Sequence, residues 1–168
     1  MQESGFPITV VGAIIEDNSS EEKRILIQER IVLKNDDTTK DIKYHKTLEI
    51  PGGKVELGED ICKALRREIK EECNLELIRV LENKSDTYFN NGDVSEVFYP
   101  FCVSQFLEGP YFTFIFRCEA HGKIKDTESA KNHRWISIQE LKELIENNPK
   151  KIFTPFLGPL KLYIKSQN

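Results

Sequence analysis

The sequence lacks several features that would assign it to common functional classes. No apolar run approaches the length of a membrane-spanning helix, and residues 1–11 carry an acidic side chain where a secretory signal would be basic. Positive charge is not in excess either, because the formal net charge is −4. We therefore expect a cytoplasmic protein that binds no membrane and no polymeric nucleic acid, since nucleic-acid affinity normally depends on a basic surface. A small anionic ligand needs only a local positive site, which a bound cation can provide.

The sequence also lacks a pair of cysteines at the close spacing of a zinc or redox motif. We predict that the four cysteines are reduced core residues, because free cysteine behaves as a small buried hydrophobe. The three histidines are scattered, with no serine or cysteine nucleophile in a recognisable context, so we expect surface or structural roles and no catalytic triad. The residues concerned are Cys62, Cys73, Cys102, Cys118, His45, His121 and His133.

What the chain does contain is the composition of a globular protein. Of its 168 residues, 39% are hydrophobic and 31% are charged, which is far from the composition of disordered chains. It has no internal repeat, low-complexity segment or linker. We therefore expect a single domain over residues 1–168, with a core large enough to fold without disulfides.

Hydrophobic patterns predict a mixed α/β architecture. Strands are expected at residues 8–15, 24–31, 47–50, 75–81, 94–103, 111–118 and 134–138. Helices are expected at residues 59–73, from Ser137 to about Asn147 with a capping box to Glu140, and from Thr154 onwards. Residues 34–46 are predicted to form a polar surface loop. Because many strands are contiguous in sequence, we expect a mixed sheet covered by helices and not an alternating parallel fold.

The most informative segment is the helix predicted at residues 59–73. Its apolar residues recur at steps of three and four, as one buried stripe requires, whereas Glu68, Glu71 and Glu72 share the adjoining arc. Like charges at this spacing repel by roughly 0.2–0.5 kcal/mol per pair, so the cluster favours a bound cation. Carboxylate oxygens select magnesium, manganese or calcium over zinc. A solvated face laced with ion pairs is the alternative, but it does not explain the glycine turn predicted at residues 51–53.

Residues 52–75 read GGKVELGEDICKALRREIKEECNL and resemble the Nudix box, usually written GX5EX7REUXEEXGU with U an aliphatic residue. The alignment needs no gap, and eight of the nine specified positions match. Asn74 replaces the last glycine, which is a mild change because asparagine also tolerates the left-handed conformation that ends such a helix. The resemblance implies an α/β/α sandwich with a mixed sheet between helices, and a Mg²⁺- or Mn²⁺-dependent hydrolase of diphosphate linkages.

The resemblance also implies roles for the matched residues. Arg67 orients a carboxylate and Glu59 steadies the loop. Lys54 and Arg67 are candidates for substrate contact. The implied metal ligands are the Gly52 carbonyl, Glu68, Glu71 and Glu72. A metal-activated water would attack one phosphorus of the diphosphate while the cations neutralise the charge that develops on the leaving oxygens.

The general base is a box glutamate or a carboxylate from a loop near the far end of the sheet. Glu71 represents the first alternative. Glu128 represents the second, because it lies seven residues before Trp135, roughly where MutT-type members of the family carry an extra metal-binding glutamate. Asp126 and Glu119 are nearby competitors, and an ordinary exposed loop glutamate is the alternative for Glu128 itself.

Flanking similarities favour a nucleotide as the substrate. Residues 48–54, LEIPGGK, are similar to the LEFPGGK of MutT-type nucleoside triphosphate pyrophosphohydrolases, and Phe153 precedes the last helix where those enzymes contact the base. Five more aromatic residues are expected to be core residues, with stacking on a nucleobase as the alternative. These are Phe89, Tyr99, Phe101, Tyr111 and Phe112.

Two other functions would fit the same fold. A Nudix-fold module that binds a nucleotide without cleaving it would have lost box carboxylates, and none is lost here. An isomerase of isoprenoid diphosphates would carry a catalytic-cysteine motif that the sequence does not contain. A small nucleotide-like diphosphate is therefore the expected partner, and a homodimer is left open.

Overall fold

The computed structural model describes residues 7–19, 21–32, 42–82 and 86–167, in which ten strands and three α-helices are found. The strands are β1 (Ile8–Asp17), β2 (Arg24–Arg30), β3 (Leu48–Glu49), β4 (Gly52–Lys54), β5 (Glu76–Val80), β6 (Asp86–Asn90), β7 (Asp93–Val97), β8 (Cys102–Phe106), β9 (Tyr111–His121) and β10 (Ala130–Ser137). The α-helices are α1 (Ile61–Cys73), α2 (Ile138–Asn147) and α3 (Thr154–Ser166), with 3-10 turns at Ile42–Tyr44 and Pro149–Lys151. None of the helices in these ranges is long and apolar enough to cross a membrane.

Eight strands form one mixed sheet, as the sequence predicts. Its central order is β10-β2-β1-β9-β5, while β3, β4 and β8 pair with β2, β1 and β9. The central pair, β1 and β9, is parallel and runs in register from Ile8 opposite Tyr111 to Ile15 opposite Cys118. The other pairings in the sheet are antiparallel.

Alternate residues of the central strands face two separate cores, which gives the α/β/α sandwich. Val11, Ala13 and Ile15 of β1 pack with Leu65 and Ile69 of α1. On the opposite face, the strands pack against α2 and α3 in a core that is rich in isoleucine. Among the described helices, α1 is the one that packs on this face of the sheet, and its polar face is available for a site.

Capping residues fix both ends of α1. The Asp60 side chain accepts a hydrogen bond from the Lys63 backbone N–H, so the helix begins two residues later than predicted. Asn74 ends it in the left-handed conformation, with a φ of 60°, as expected for the residue that replaces the box glycine. The capping box at the start of α2 between Ser137 and Glu140 is also confirmed.

Three details differ from the sequence prediction. Gly52 and Gly53 do not form a turn: the chain bends at Pro51 and then continues as β4, which pairs with β1. The strand expected at residues 94–103 is two strands, β7 and β8, because the segment between them contains Pro100, which cannot donate a ladder hydrogen bond. Of the polar loop expected at residues 34–46, residues 34–41 lie outside the described residues, and the rest includes the 3-10 turn.

Strand β6 and its pairing with β7 were not predicted, and every residue of the two strands in this hairpin is exposed. The expectation that aromatic residues fill the core is wrong for Phe89 on this hairpin, which is 77% exposed, and for Tyr99 and Phe112, which are also exposed. Phe101 packs against the α3 core, and Tyr111 is half-buried.

The cysteines and histidines largely match expectation. Cys73 and Cys118 are buried, Cys62 and Cys102 are half-buried, and all four are free thiols. Burial raises the pKa of the Cys102 thiol to about 11, so it is protonated at neutral pH. His45 and His121 are exposed.

Candidate active site

Arg67 on α1 connects the acidic helix to the loop that precedes it. Its Nε and Nη2 donate to the two carboxylate oxygens of Glu59, at 3.0 and 2.9 Å. Its Nη2 also donates to the Lys54 carbonyl at 2.9 Å, and its Nη1 donates to Glu68 at 2.8 Å and to Glu71 at 3.2 Å. The structure thus places the predicted orienting residue, Arg67, in contact with three box carboxylates and the β4 backbone.

The glycines of β4 allow the helix carboxylates to approach the backbone closely. A β-carbon at Gly53 would lie 2.4 Å from the Glu68 carboxyl carbon, and one at Gly52 would lie 2.2 Å from the Val11 carbonyl oxygen. At Gly52 the obstacle is backbone, so only glycine fits there, whereas a side chain at Gly53 would force the Glu68 carboxylate to move. The spacing of the box is therefore a packing requirement between β4, β1 and α1.

Glu72 is held in a fixed orientation by donors from two strands. Its Oε2 accepts hydrogen bonds from the Gly52 backbone N–H at 2.9 Å and from the Gln28 amide at 2.7 Å. The carboxylate is 8% exposed, and burial together with the nearby Glu49 carboxylate raises its pKa to about 8. Two donors on Oε2 leave Oε1 as the oxygen that would coordinate a cation.

Glu49 is a buried carboxylate of the site that the sequence analysis did not identify. It lies on β3 opposite Gln28 of β2, is 2% exposed, and accepts a hydrogen bond from Arg30 at 3.3 Å. Burial raises its pKa to about 7, although Arg30 and Gln28 act in the opposite direction. The sequence signal for such a site was a polar residue at a strand position that should face the core. Gln28, the partner of Glu49 on β2, follows Leu26 by two residues and therefore lies on the same face of the strand.

The donor set fits a hard divalent cation. Glu68 and Glu72 are both buried, and burial raises the pKa of Glu68 as it does that of Glu72. Ionised carboxylates at these positions therefore need a compensating positive charge. All the available donors are carboxylate or backbone oxygens, which suit magnesium or manganese. Within the described ranges, three such groups do not converge into a complete ligand cluster. Glu68 and Glu71 instead each give one oxygen to Arg67.

An aromatic pocket borders the acidic site on the other side of β4. It has a volume of about 250 Å³, and Gly52, Gly53 and Lys54 form part of its wall. The Arg30 guanidinium lies 4.6 Å from the centre of the Phe153 ring, and Tyr44 meets the same ring edge-on at 5.0 Å. The remaining lining residues are Val10, Phe106, Tyr111, Thr113, Pro155 and Phe156.

Comparison with known proteins identifies the family. The profile of the NUDIX domain matches residues 7–156. The chain belongs to the Nudix family. It is therefore a hydrolase that acts on pyrophosphate bonds, and the helix with Arg67 and the three glutamates is its Nudix box.

Solved Nudix structures share the fold at low sequence identity. A NUDIX hydrolase from Nitrosomonas europaea is 19% identical, with a TM-score of 0.66 over 97% of this chain and 73% of that one. The MutT protein of Methanosarcina mazei Go1 is 14% identical, with a TM-score of 0.60 over 98% of each chain. The ORF135 protein of E. coli is 20% identical, with a TM-score of 0.59 over 99% and 95%. A comparison with curated proteins found no match.

The loop before β10 meets the carboxyl end of the Nudix helix. The buried His133 ring lies 2.9 Å from the Glu72 carbonyl oxygen through Nε2, and 2.9 Å from an Asp126 carboxylate oxygen through Nδ1. The hydrogen bond with His133 lowers the pKa of Asp126. Asp126, the alternative to Glu128 as general base, is therefore engaged with a structural histidine. Glu128 is exposed in the same loop, two residues further on.

The predicted site residues therefore fall into three groups. Gly52, Lys54, Glu59, Arg67, Glu68, Glu71 and Glu72 form one connected set around β4 and α1. Phe153 lies in the aromatic pocket that shares the β4 wall. Glu128 has no hydrogen bond or ion pair to the first set among the contacts of the described residues, and Glu119 on β9 pairs with Arg79 on the edge strand β5.

Proposed function

We propose that the substrate of this hydrolase is a nucleoside triphosphate or a related nucleoside diphosphate derivative, and that it requires Mg²⁺ or Mn²⁺. The observation that supports this most directly is the position of β4 between the acidic helix and the aromatic pocket. A nucleobase stacked in the pocket would direct its phosphates along Lys54 towards Glu68 and Glu72. Aromatic and guanidinium faces are the surfaces on which a planar base stacks.

The residues of the site divide the work of such a reaction. A bound divalent cation supplies a Lewis acid that lowers the pKa of water and neutralises phosphate charge. Gly52 and Gln28 hold Glu72 in place by hydrogen bonds, and Arg67 fixes Glu68 relative to β4. Lys54 is exposed at the pocket wall, where its ammonium group can contact a phosphate. Glu71, which is largely exposed, and Glu128 are the two candidates for the base.

The proposed activity is tested with purified protein and a panel of nucleoside triphosphates, nucleotide sugars, ADP-ribose, dinucleoside polyphosphates and NADH. Released phosphate is measured after phosphatase coupling, with Mg²⁺, with Mn²⁺ and with chelator alone. We expect Mg²⁺-dependent turnover of nucleoside triphosphates. The Glu72→Gln variant should lose at least about a hundredfold in kcat, while its melting temperature at pH 5.5, where Glu72 of the metal-free protein is protonated, stays nearly unchanged.

Glu76→Gln is a suitable control for that variant. Glu76 begins β5, is exposed and pairs with Lys70 on the outer side of α1, so its loss should leave kcat unchanged. Full activity of Glu72→Gln would contradict the assignment of the site. Turnover that survives complete removal of divalent cations would contradict the metal requirement.

The general base is assigned by comparing Glu128→Gln with Glu71→Gln. If Glu128 is the base, its variant loses kcat more than substrate affinity and the acidic limb of the pH–rate profile changes. Glu119→Gln is the control, because Glu119 is a glutamate of the preceding strand that pairs with Arg79. An unchanged profile for Glu128→Gln, together with an altered one for Glu71→Gln, would assign the base to the Nudix helix.

A further inference from the structure

A series of polar contacts through β2 and β3 joins the aromatic pocket to the Nudix carboxylates. It reaches the Nudix helix only at Glu72. Arg30 lies over Phe153 in the pocket, and its Nη1 donates to Glu49 at 3.3 Å. Gln28 lies directly opposite Glu49 in the β2–β3 pair, and its amide donates to Glu72 at 2.7 Å. We propose that Glu49 is a positioning residue that couples the occupant of the pocket to the orientation of Glu72.

The geometry leaves Glu49 no evident structural purpose of its own. It is almost completely buried on a strand of only two residues, and a buried carboxylate costs stability unless a partner compensates it. Its cationic neighbour is Arg30, which is itself partly committed to the Phe153 ring. An apolar residue at this position would be less costly if packing were the sole requirement.

Arg30 carries a donor that a ligand can complete. Its Nε is buried and has no hydrogen-bond partner among the described residues. An unsatisfied buried donor is destabilising, and a carbonyl oxygen or ring nitrogen of a base in the pocket would supply its missing acceptor. A ligand that draws the guanidinium towards itself changes the hydrogen bond to Glu49, and through Gln28 the support of Glu72.

The consequence is that base identity should affect kcat as well as KM. A base that only fills the pocket would change ground-state binding alone, whereas one that engages Arg30 would also change the position of Glu72. This inference rests on the proposed nucleotide substrate. It goes further by assigning Glu49, Gln28 and Arg30 to the link between recognition and turnover.

The first test measures kcat and KM of the wild type, Glu49→Gln and Arg30→Met for nucleoside triphosphates that differ only in the base. We expect the wild-type kcat to differ by about tenfold or more between the best and worst base, as hydrogen-bonded recognition produces. Each variant should reduce that ratio to within roughly threefold, and the double variant should reduce it no further, because the two residues act in one chain.

The chain provides a matched control pair. Arg117 and Glu82 also form an ion pair, with side chains that are 30% and 10% exposed against 32% and 2% for Arg30 and Glu49. The Arg117 guanidinium likewise lies over an aromatic ring, that of Phe101, at 5.6 Å. Neither residue lines the pocket, so Arg117→Met and Glu82→Gln should keep the wild-type base ratio.

The second test needs no turnover. Calorimetry measures the Kd of Mn²⁺ in the presence of nucleoside monophosphates that differ only in the base, and again with ribose 5-phosphate, which lacks a base. We expect the base to tighten Mn²⁺ binding by at least about fivefold in the wild type, within the usual range of coupling between sites. Glu49→Gln should abolish this difference while still binding Mn²⁺.

The outcomes separate this inference from the proposed function. If the wild type hydrolyses nucleotides but its kcat shows no base dependence, or if Glu49→Gln keeps that dependence, the coupling is overturned and the activity stands. If no nucleotide is hydrolysed, the proposed function fails and the Mn²⁺ measurement still decides the coupling. If Glu49→Gln does not fold, Arg30→Met decides, because the Arg30 side chain is half-exposed. A preserved ratio of kcat between the best and worst base overturns the proposal, and loss of that ratio supports it.

Discussion

Gly53 is the residue at which the β4 backbone and the Nudix helix come closest. The space that a side chain would occupy is filled by the Glu68 carboxylate, whose two oxygens would lie 2.4 and 2.5 Å from a β-carbon at this position. Gly53 therefore leaves room for the Glu68 carboxylate beside the β4 backbone, and it does not form a turn. It brings a buried carboxylate against backbone that also forms the pocket wall.

We expect Gly53→Ala to displace Glu68 and to lower kcat by at least about tenfold, with a loss of about 1–3 kcal/mol in stability from overpacking. Turnover and chemical denaturation measure the two effects. Gly158→Ala is the control, because an added β-carbon there, its chain neighbours aside, meets no atom within 4 Å and replaces a glycine inside α3. It should leave kcat unchanged, while the gain in helix propensity is offset by contact of the new methyl group with the ring of Pro159, the next residue. Normal kcat in Gly53→Ala would show that Glu68 has room to move.

At this scale the sequence predicts the local half of the site. Arg67, Glu68 and Glu72 follow from spacing along one helix, where each separation in sequence has a known relative orientation. Gln28 and Glu49 do not, because they reach Glu72 only after β2 and β3 have paired across the fold. Arg30 was likewise not predicted, since its partners are Glu49 and Phe153, which is 123 residues away in sequence.

Among the elements, the β6–β7 hairpin is the most weakly attached. Phe89 and Val94 form a cross-strand pair that is 77% and 62% exposed. Phe98, directly after the hairpin, is by contrast half-buried and packs edge-on against Phe114 at 5.5 Å. The connection to the core therefore begins only where the hairpin ends.

We expect the double substitution Phe89→Ser and Val94→Ser to change the free energy of unfolding by less than about 1 kcal/mol, since an exposed cross-strand pair contributes little. Activity on the substrate found above should be unchanged. Phe98→Ser should instead destabilise the protein by about 2–4 kcal/mol, because it removes a core aromatic side chain. Equal losses in the two variants, measured by urea denaturation, would place the hairpin within the core.

Periodicity predicted the elements that bury one face, and it failed where no face is buried. Helix α1 and strands β1, β2, β5 and β9 were predicted within a few residues of their observed ends. Strand β6 was missed, and the end of β7 was not recognised, because side chains of this hairpin contact solvent on both faces and leave no alternating pattern. The short β4 was predicted as a turn, since glycine normally marks one and its pairing with β1 is not visible in local sequence.

In the whole molecule, β1 and β9 contribute to both cores, which supports our proposal of one domain over residues 1–168. Between these cores and the pocket, the fold buries two acids with raised pKa values, Glu49 at about 7 and Glu72 at about 8. The ordinary value for both is 4.5. Between pH 4.5 and about 7 to 8, these two carboxyl groups therefore bind more protons in the folded protein than in the unfolded chain. Their contribution to stability is fully present below about pH 4.5 and is lost as the pH rises through 7 to 8.

We expect the melting temperature of the metal-free protein to fall by several degrees between pH 5.5 and pH 8.5. Glu72→Gln should flatten this dependence, while Glu76→Gln should not, because Lys70 lowers the pKa of Glu76 and places its titration below this range. Saturating Mg²⁺ should raise the melting temperature more at pH 8.5 than at pH 5.5, since cations bind the ionised carboxylates. A melting temperature that rises with pH in the metal-free protein would contradict the raised pKa values.

The parallel pairing of β1 with β9 has a consequence for how the protein is made. Ile8 pairs with Tyr111 and Ile15 with Cys118, so the centre of the sheet joins segments about a hundred residues apart. Contacts of such high sequence separation slow folding, because the loop between them must close before they form. A nascent chain would carry the Nudix helix out of the ribosome well before β9, the strand that completes its packing surface. We therefore expect truncated chains that end before residue 111 to remain unfolded and prone to aggregation, even though they contain the whole Nudix box.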